Sequence, residues 1–516
     1  MKQAKFCLSA LVLVSLCAAV AGSQSPSEIR ATRPYEAAVK AGPLALHAFL
    51  EQFPKGADLH IHLGGAIYAE TFIRDAAEDG LCVDPKELSF AAPPCASPLV
   101  PASDLNGVLT PAQQSLYDRL VDSFSMRSYF PTPGFSGHDQ FFATFDKFGG
   151  ISNKHHGEWV DEVASRAAAQ NQQYLELMET PPFRHTATIA HQNPLNADFA
   201  AYRQTLLSLN LKDEVAAGRE EMRTAEVQRR EIERCGTPKA TPACNVTVRF
   251  IYQVLRGFAP EQVFAQTLLG FETVQAAMDA HDNTFVGINF VMPEDGFISM
   301  RDYTLQMKML DYLHSVYPTV HISLHAGELA PGLVPPEGLR FHIRQAVDLG
   351  HAERIGHGVD VMYEDNAHAL LKELASKHVM VEINLSSNEG ILGIKGADHP
   401  FPLYRAAHVP VALSTDDEGV SRIEITHEYT RAALDYHLTY LDLKQLARTG
   451  MEHNFLPGPS LWAAPDAFTS LAAACRGQVP GSDHPSAACK TFLEGSQKAT
   501  AQWEQERRFR AFEAQF

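Results

Sequence analysis

Val320–Ala326 (VHISLHA), Arg354–Val359 (RIGHGV), Val379–Leu385 (VMVEINL) and Val409–Asp416 (VPVALSTD) are short apolar or β-branched runs that close near Gly, Asp, Asn or His. Such runs read as buried strands. Helix-like stretches alternate with them, among them Pro260–His281, Ser299–Val316, Gly338–Leu349 and Asp365–Lys377. Working back toward the N-terminus, the same signal recurs at Thr284–Val291 (TFVGINFV), Val246–Val254 (VTVRFIYQV), Gln173–Met178 (QYLELM) and Ala57–Leu63 (ADLHIHL). From the third run on, strand and helix repeat every 30–40 residues or so, roughly the length of one parallel crossover unit. Eight such units predict an α/β fold, a (β/α)8 TIM barrel.

The first half is less regular. More than a hundred residues separate strands one and two, among them the Pro-rich Ala92–Pro101 and the turn-rich Pro131–Gly137. Between strands two and three lies a polar helix candidate, Lys212–Arg234, with charges of both signs. Its polar surface reads as a solvated face, or as a contact for a second copy in a homodimer. The expected organisation is a signal peptide (1–21) and an N-terminal helical extension (22–55, with a helix at about Tyr35–Phe53). The barrel follows over 56–464, with insertions at about 80–140 and 185–245. A C-terminal disulfide-bearing helical extension (465–516) ends in a helix over Thr500–Ala514.

Composition narrows the partners. Among 516 residues, 61 Asp and Glu outweigh 43 Lys and Arg, giving a formal charge of −18. A chain this acidic repels nucleic-acid backbones and anionic membrane surfaces. The first residues carry Lys2 and Lys5, then an uncharged run Phe6–Val20 and the small-residue site Ala19-Val20-Ala21. That pattern predicts a cleavable signal peptide, export to the periplasm or medium, and no membrane anchor after cleavage. Cys7 and Cys17 would leave with it. The other six cysteines fall into close pairs, and nearest-neighbour disulfides Cys82–Cys95, Cys235–Cys244 and Cys475–Cys489 are expected in an oxidising compartment.

The chemistry sits at the strand ends, where barrel active sites gather. Strand one ends in His60-Ile61-His62, whose alternate side chains face the same side. Strand five ends in His325-Ala326-Gly327-Glu328, strand six carries Gly356-His357-Gly358, and strand eight ends in Ser414-Thr415-Asp416-Asp417. A single His or Asp at a strand end is usually hydrogen-bonded structure; four such motifs at four strand ends point to a common centre. Three imidazoles and one carboxylate suit Zn²⁺ with room for water. Strand four (Val286-Gly287-Ile288-Asn289) lacks a lysine to bridge a second ion, so one metal is expected. A metal acidifies water; His357 could orient or deprotonate that water, and Glu328 could carry a proton to the substrate.

Together these motifs resemble the adenosine deaminase family: FPKGADLHIHL (53–63), SLHAGE (323–328), RIGHGV (354–359) and LSTDD (413–417), in family order at matching strands. The signal peptide and cysteine-bearing inserts are similar to its extracellular branch, the adenosine deaminase-related growth factors. The resemblance implies zinc held by His60, His62, His325 and Asp416. It implies that Glu328 protonates purine N1, His357 steers the nucleophile onto C6, Asp417 meets N7 and the Gly287 backbone meets N3. The implied reaction is hydrolytic deamination of adenosine or 2′-deoxyadenosine to the inosine product and ammonia. Adenine or a modified 6-aminopurine is the alternative substrate, and an extracellular adenosine-binding signalling protein without turnover is the alternative of another class. N1 and N7 are both acceptors, so Glu328 and Asp417 must each present a proton, and raised pKa values are expected for both. The family often has Asp after H-x-H-L, where it meets the ribose 5′-hydroxyl; Gly64 takes that position here, so the resemblance implies that the sugar end is contacted from elsewhere or read loosely. Phe141, Phe145 and Phe148 fall on one helical face, either core or the wall of a purine pocket. His155 and His156 read as surface or loop residues, because no P-C-x-x-C follows the H-x-E that begins at His156.

Overall fold

The computed structural model describes residues 25–516; the expected signal peptide lies outside the described residues. Eight parallel strands follow in sequence order: Gly56–His62, Gln172–Glu179, Thr247–Leu255, Phe285–Val291, His321–Ala326, Arg354–His357, Met380–Ile383 and Val411–Leu413. The last meets the first through a parallel bridge between Ile61 and Asp416. There the His62 N–H donates to the Asp416 carbonyl at 3.1 Å, and the Asp416 N–H donates to the His60 carbonyl at 2.8 Å. The sheet is therefore a barrel, and its closing seam runs through three of the expected metal-binding residues. All seven residues of Phe285–Val291 are buried, as a strand requires when its inner face fills a barrel and its outer face lies under helices. The eighth strand is shorter than its sequence run. Pro410 has no N–H to donate, and beyond Leu413 the chain continues irregularly to the Asp416 bridge at the rim.

The crossover helices follow their sequence signals. Pro260–Asp279 begins on a proline, where the missing N–H costs nothing. The N-terminal helix is two helices, Pro26–Ala41 and Pro43–Glu51, broken at Gly42 with φ 105°. They pack on the C-terminal helix Gln497–Glu513: Lys444 bridges Glu28 (2.9 Å) and Glu513 (2.6 Å), and the rings of Phe49 and Phe512 meet edge to face.

The polar helix, Asp213–Ile232, buries Val215, Gly218, Met222, Ala225 and Arg229, a stripe at steps of three and four. The helix packs against both His156–Ala169 and Pro260–Asp279, so its polar surface is solvated only in part. His155 and His156 are buried, not on the surface: His155 sits against Asp79 (3.3 Å) and His156 against Glu221 (3.1 Å). The H-x-E pattern had no way to register that a helix would cover it. The three disulfides join Cys82–Cys95, Cys235–Cys244 and Cys475–Cys489. Closing a loop of this size stabilises a fold by about 3 kcal/mol in the chain-entropy picture, so each staples one irregular segment locally. No helix among the described residues is long and apolar enough to cross a membrane.

Candidate metal centre and surrounding cavity

His60 and His62 leave the end of the first strand on the same side, His325 closes the fifth, and Asp416 follows the eighth. Nε2 of His325 lies 3.1 Å from Nε2 of His60 and 3.2 Å from Nε2 of His62. Oδ1 of Asp416 is 3.3 Å from His62 Nε2 and 3.6 Å from His60 Nε2. These four donor atoms lie within 4.8 Å of one another. The other ring nitrogens are already taken. Nδ1 of His60 is 2.6 Å from Glu382 Oε2, Nδ1 of His62 is 2.8 Å from the side-chain oxygen Oε1 of Gln253, and Nδ1 of His325 is 2.7 Å from the side-chain oxygen Oδ1 of Asn289. Each partner is an acceptor, so each imidazole carries its proton on Nδ1 and turns a bare Nε2 lone pair inward. Three lone pairs and a carboxylate at contact distance repel one another unless a cation lies between them. The donor set fits a divalent metal of borderline softness.

Deeper residues hold this geometry. Asp58 ties first strand to last: its carboxylate accepts from Thr415 N (3.1 Å), Thr415 Oγ1 (2.8 Å) and His60 N (3.3 Å). Glu382 also receives Arg354 Nε at 2.7 Å, and Arg354 reaches Glu176 at 2.6 Å. Gly356 lies directly beneath His60; a Cβ there would be 2.6 Å from His60 Cε1. Sequence reading passed over Glu382, Gln253, Asn289 and Asp58. Their signal was a polar residue inside an apolar strand, at a position whose parity points inward.

Glu328, His357 and Asp417 surround the same centre. Nε2 of His357 lies 3.7 Å from Glu328 Oε1 and 3.8 Å from Asp416 Oδ2. Burial holds His357 down at about 3, so the ring is neutral near pH 7. Burial, with the nearby carboxylates of Asp416 and Glu294, raises the Glu328 carboxyl well above the usual range. Burial and Asp416 do the same to Asp417, against the pull of His62. Both directions match the sequence expectation. The Glu328 backbone is fixed from behind: Glu294 accepts from Gly327 N (3.1 Å), Glu328 N (2.8 Å) and His342 Nδ1 (2.5 Å). Gly327 has φ +76° and no room for a Cβ, which would meet Asp360 at 2.5 Å.

A cavity of about 490 Å³ opens over this centre. Phe141, Phe142 and Phe145 form an aromatic wall, Gly64 and Gly65 lie beside His62, and Asp146 and Glu179 also line the cavity. No lysine or arginine is among the residues that line it. Of the predicted site residues, His62, His325, Glu328, Asp416 and Asp417 line the cavity; His60 and His357 lie just beneath. Gly287 does not reach it. It pairs with His321 at the start of the fifth strand, and a Cβ on it would meet the Phe455 ring at 2.9 Å. That is the opposite end of the barrel from His325. The fourth strand reaches the cavity through Val291, Met292 and Pro293 instead.

The profile of the adenosine deaminase family matches residues 158–463, more than half of the chain. An adenosine deaminase of Clostridium perfringens is 33% identical over 135 residues, covering 26% of this chain and 37% of that enzyme. The match thus spans little more than a third of that relative's length. The N6-mAMP deaminase of arabidopsis superposes with a TM-score of 0.51 at 22% identity, over 79% of this chain and 95% of that one. An amidohydrolase from Burkhoderia ambifaria, solved with bound Zn, superposes with a TM-score of 0.50 at 17% identity, over 80% and 88% of the two chains. These likenesses agree with the barrel, and the profile match extends across the strand ends that carry His325, His357, Asp416 and Asp417. The chain belongs to the adenosine deaminase family.

Proposed function

We propose that the protein is a zinc-dependent hydrolytic deaminase of adenosine and 2′-deoxyadenosine. The observation that carries this reading is the convergence of His60, His62, His325 and Asp416 beneath a cavity that also holds two buried carboxyls with raised pKa values, Glu328 and Asp417. The three imidazoles and one carboxylate would hold the ion, and a structural relative was solved with bound Zn. Bound there, Zn²⁺ supplies a Lewis acid that lowers the pKa of water from about 15.7 toward about 7.

The chain's own residues account for the rest. Glu328, protonated, gives its proton to purine N1 and makes C6 electrophilic. Asp417, also protonated, donates to N7 and holds the ring in register. His357 orients the water oxygen onto C6. As the C6–O bond forms, Glu328 recovers a proton from that water. The second water proton goes to the exocyclic nitrogen, the C6–N bond breaks and ammonia leaves. Phe141, Phe142 and Phe145 suit the flat, apolar faces of a purine. The absence of lysine and arginine from the lining, which also carries Asp146 and Glu179, favours an uncharged nucleoside over a nucleotide. This separates the reading from the N6-mAMP deaminase relative.

Purified protein offered adenosine, 2′-deoxyadenosine, adenine and AMP should release ammonia from the nucleosides first, with loss of the adenine absorbance band. Glu328→Gln should cut turnover by at least about 10²-fold while the metal content stays at that of the wild type. Wild-type protein that binds adenosine stoichiometrically and releases no ammonia would overturn the enzyme reading in favour of a binding protein.

A further inference from the structure

Which nitrogen of His357 carries its proton is decided by a chain of hydrogen bonds that begins at a backbone amide. The N–H of Phe401 can only donate, and it donates to Nδ1 of His399 at 3.1 Å. With Nδ1 accepting, His399 holds its proton on Nε2 and donates it to Oδ1 of Asn388 at 2.9 Å. That bond orients the Asn388 amide. Its Nδ2 therefore faces Nδ1 of His357, at 2.9 Å, as a donor. Asn384 brings a second amide nitrogen to 3.4 Å from the same atom. Nδ1 of His357 is an acceptor, so the ring proton sits on Nε2.

The relay is sealed from solvent: Asn388 and His357 are fully buried and His399 is 2% exposed. Nε2 of His357 has no hydrogen-bond partner among the described residues, and it points toward Glu328 and Asp416 at the metal centre. As an N–H, it is a free donor aimed at the place where a nucleophile's oxygen must sit. It has no lone pair with which to take a proton. Protonation at Nδ1 would require the Asn388 amide to turn, which either sets its NH2 against the Nε2–H of His399 or forces the His399 proton onto Nδ1 and loses the bond from the Phe401 amide.

We propose that Asn388 and His399 are positioning residues that lock His357 as an Nε2–H donor, the tautomer that its orienting of the attacking water requires. The catalytic consequence rests on the deaminase reading; the tautomer does not. Of the two roles the sequence left open for His357, the relay selects orientation. The water's proton is left to Glu328, which becomes a carboxylate once N1 is protonated.

The test is ¹⁵N NMR of histidine-labelled full-length protein, with the His357 signals identified by their loss in His357→Gln. The expected pattern is a bare Nδ1 and a protonated Nε2. Asn388→Asp replaces the donor with an acceptor and should move the proton to Nδ1. It should lower kcat by about 10²–10³-fold, the scale of a lost preorganised donor, with KM and metal content little changed. His399→Gln frees the Asn388 amide and should give a mixture of tautomers and an intermediate kcat; it also carries the test if Asn388→Asp does not fold. A wild-type His357 protonated on Nδ1, or variants that move the tautomer without lowering kcat, would overturn the proposal. The expected tautomers in a protein that deaminates no 6-aminopurine would overturn the deaminase reading and leave the lock in place.

Discussion

Nδ1 of His60 lies 2.6 Å from Oε2 of Glu382, a carboxylate 322 residues further along the chain. Both side chains are inaccessible to solvent. Glu382 is held ionised, its pKa lowered against the effect of burial by Arg354 and His60. The carboxylate therefore fixes the His60 tautomer and makes Nε2 a stronger ligand. Glu382→Gln keeps the shape but removes the charge. It should weaken metal affinity by about 10–100-fold, the usual effect of an outer-shell partner, measured by competition with a chelator. It also leaves the buried Arg354 with one carboxylate, Glu176, instead of two, so thermal stability should fall even in the metal-free protein. Unchanged metal affinity in a folded Glu382→Gln protein would contradict the role assigned to this pair.

Much of this centre was legible before the fold was known, and the reason is periodicity. His60 and His62 are two apart on one strand, and His325, His357 and Asp416 each end an apolar run; strand geometry alone sends such residues to one rim. The outer layer was harder to read. Glu382 and Asn289 resemble ordinary polar interruptions of a strand, because their role depends on which strand becomes the neighbour. Gly287 was misplaced along its strand. The apolar run Thr284–Val291 gives inward parity but not height, and Gly287 falls at the end opposite the cavity. The helix break at Gly42-Pro43 and the burial of His155 and His156 depend on contacts with distant segments, which local pattern does not encode.

Glu294 gives a pH prediction. Its carboxylate binds the Gly327 and Glu328 amides and helps raise the Glu328 carboxyl. In the proposed reaction the protonated form of Glu328 is the active one. The rate kcat/KM should therefore hold at neutral pH and fall as pH rises through the raised pKa, because deprotonated Glu328 has nothing to give N1. Glu294→Gln removes one of the negative charges that favour protonation, so this alkaline limb should move to lower pH. The shift is read from kcat/KM across a pH series at fixed ionic strength. A limb that stays in place, or moves to higher pH, would mean that Glu294 does not act on Glu328 electrostatically.

The two adjacent glycines beside His62 should behave oppositely. A Cβ on Gly65 would fall 1.5 Å from Oδ1 of Asp417, whereas one on Gly64 would meet nothing within 4 Å. Both residues line the cavity. Gly65→Ala must push Asp417 out of place, and with it the donor proposed for N7. Its kcat/KM should fall by about 10²-fold, the scale of a lost preorganised donor, with metal content retained because Asp417 is not a ligand. Gly64→Asp should fold and bind metal normally. Its carboxylate would have open space at the cavity lining, at the position where the family resemblance places the sugar hydroxyl contact. It should lower KM for adenosine relative to adenine, by roughly the tenfold that one charge-assisted hydrogen bond contributes. Equal KM changes for nucleoside and base would show that the sugar lies elsewhere. A harmless Gly65→Ala would show that Asp417 can move without loss, and therefore that it does not hold the purine.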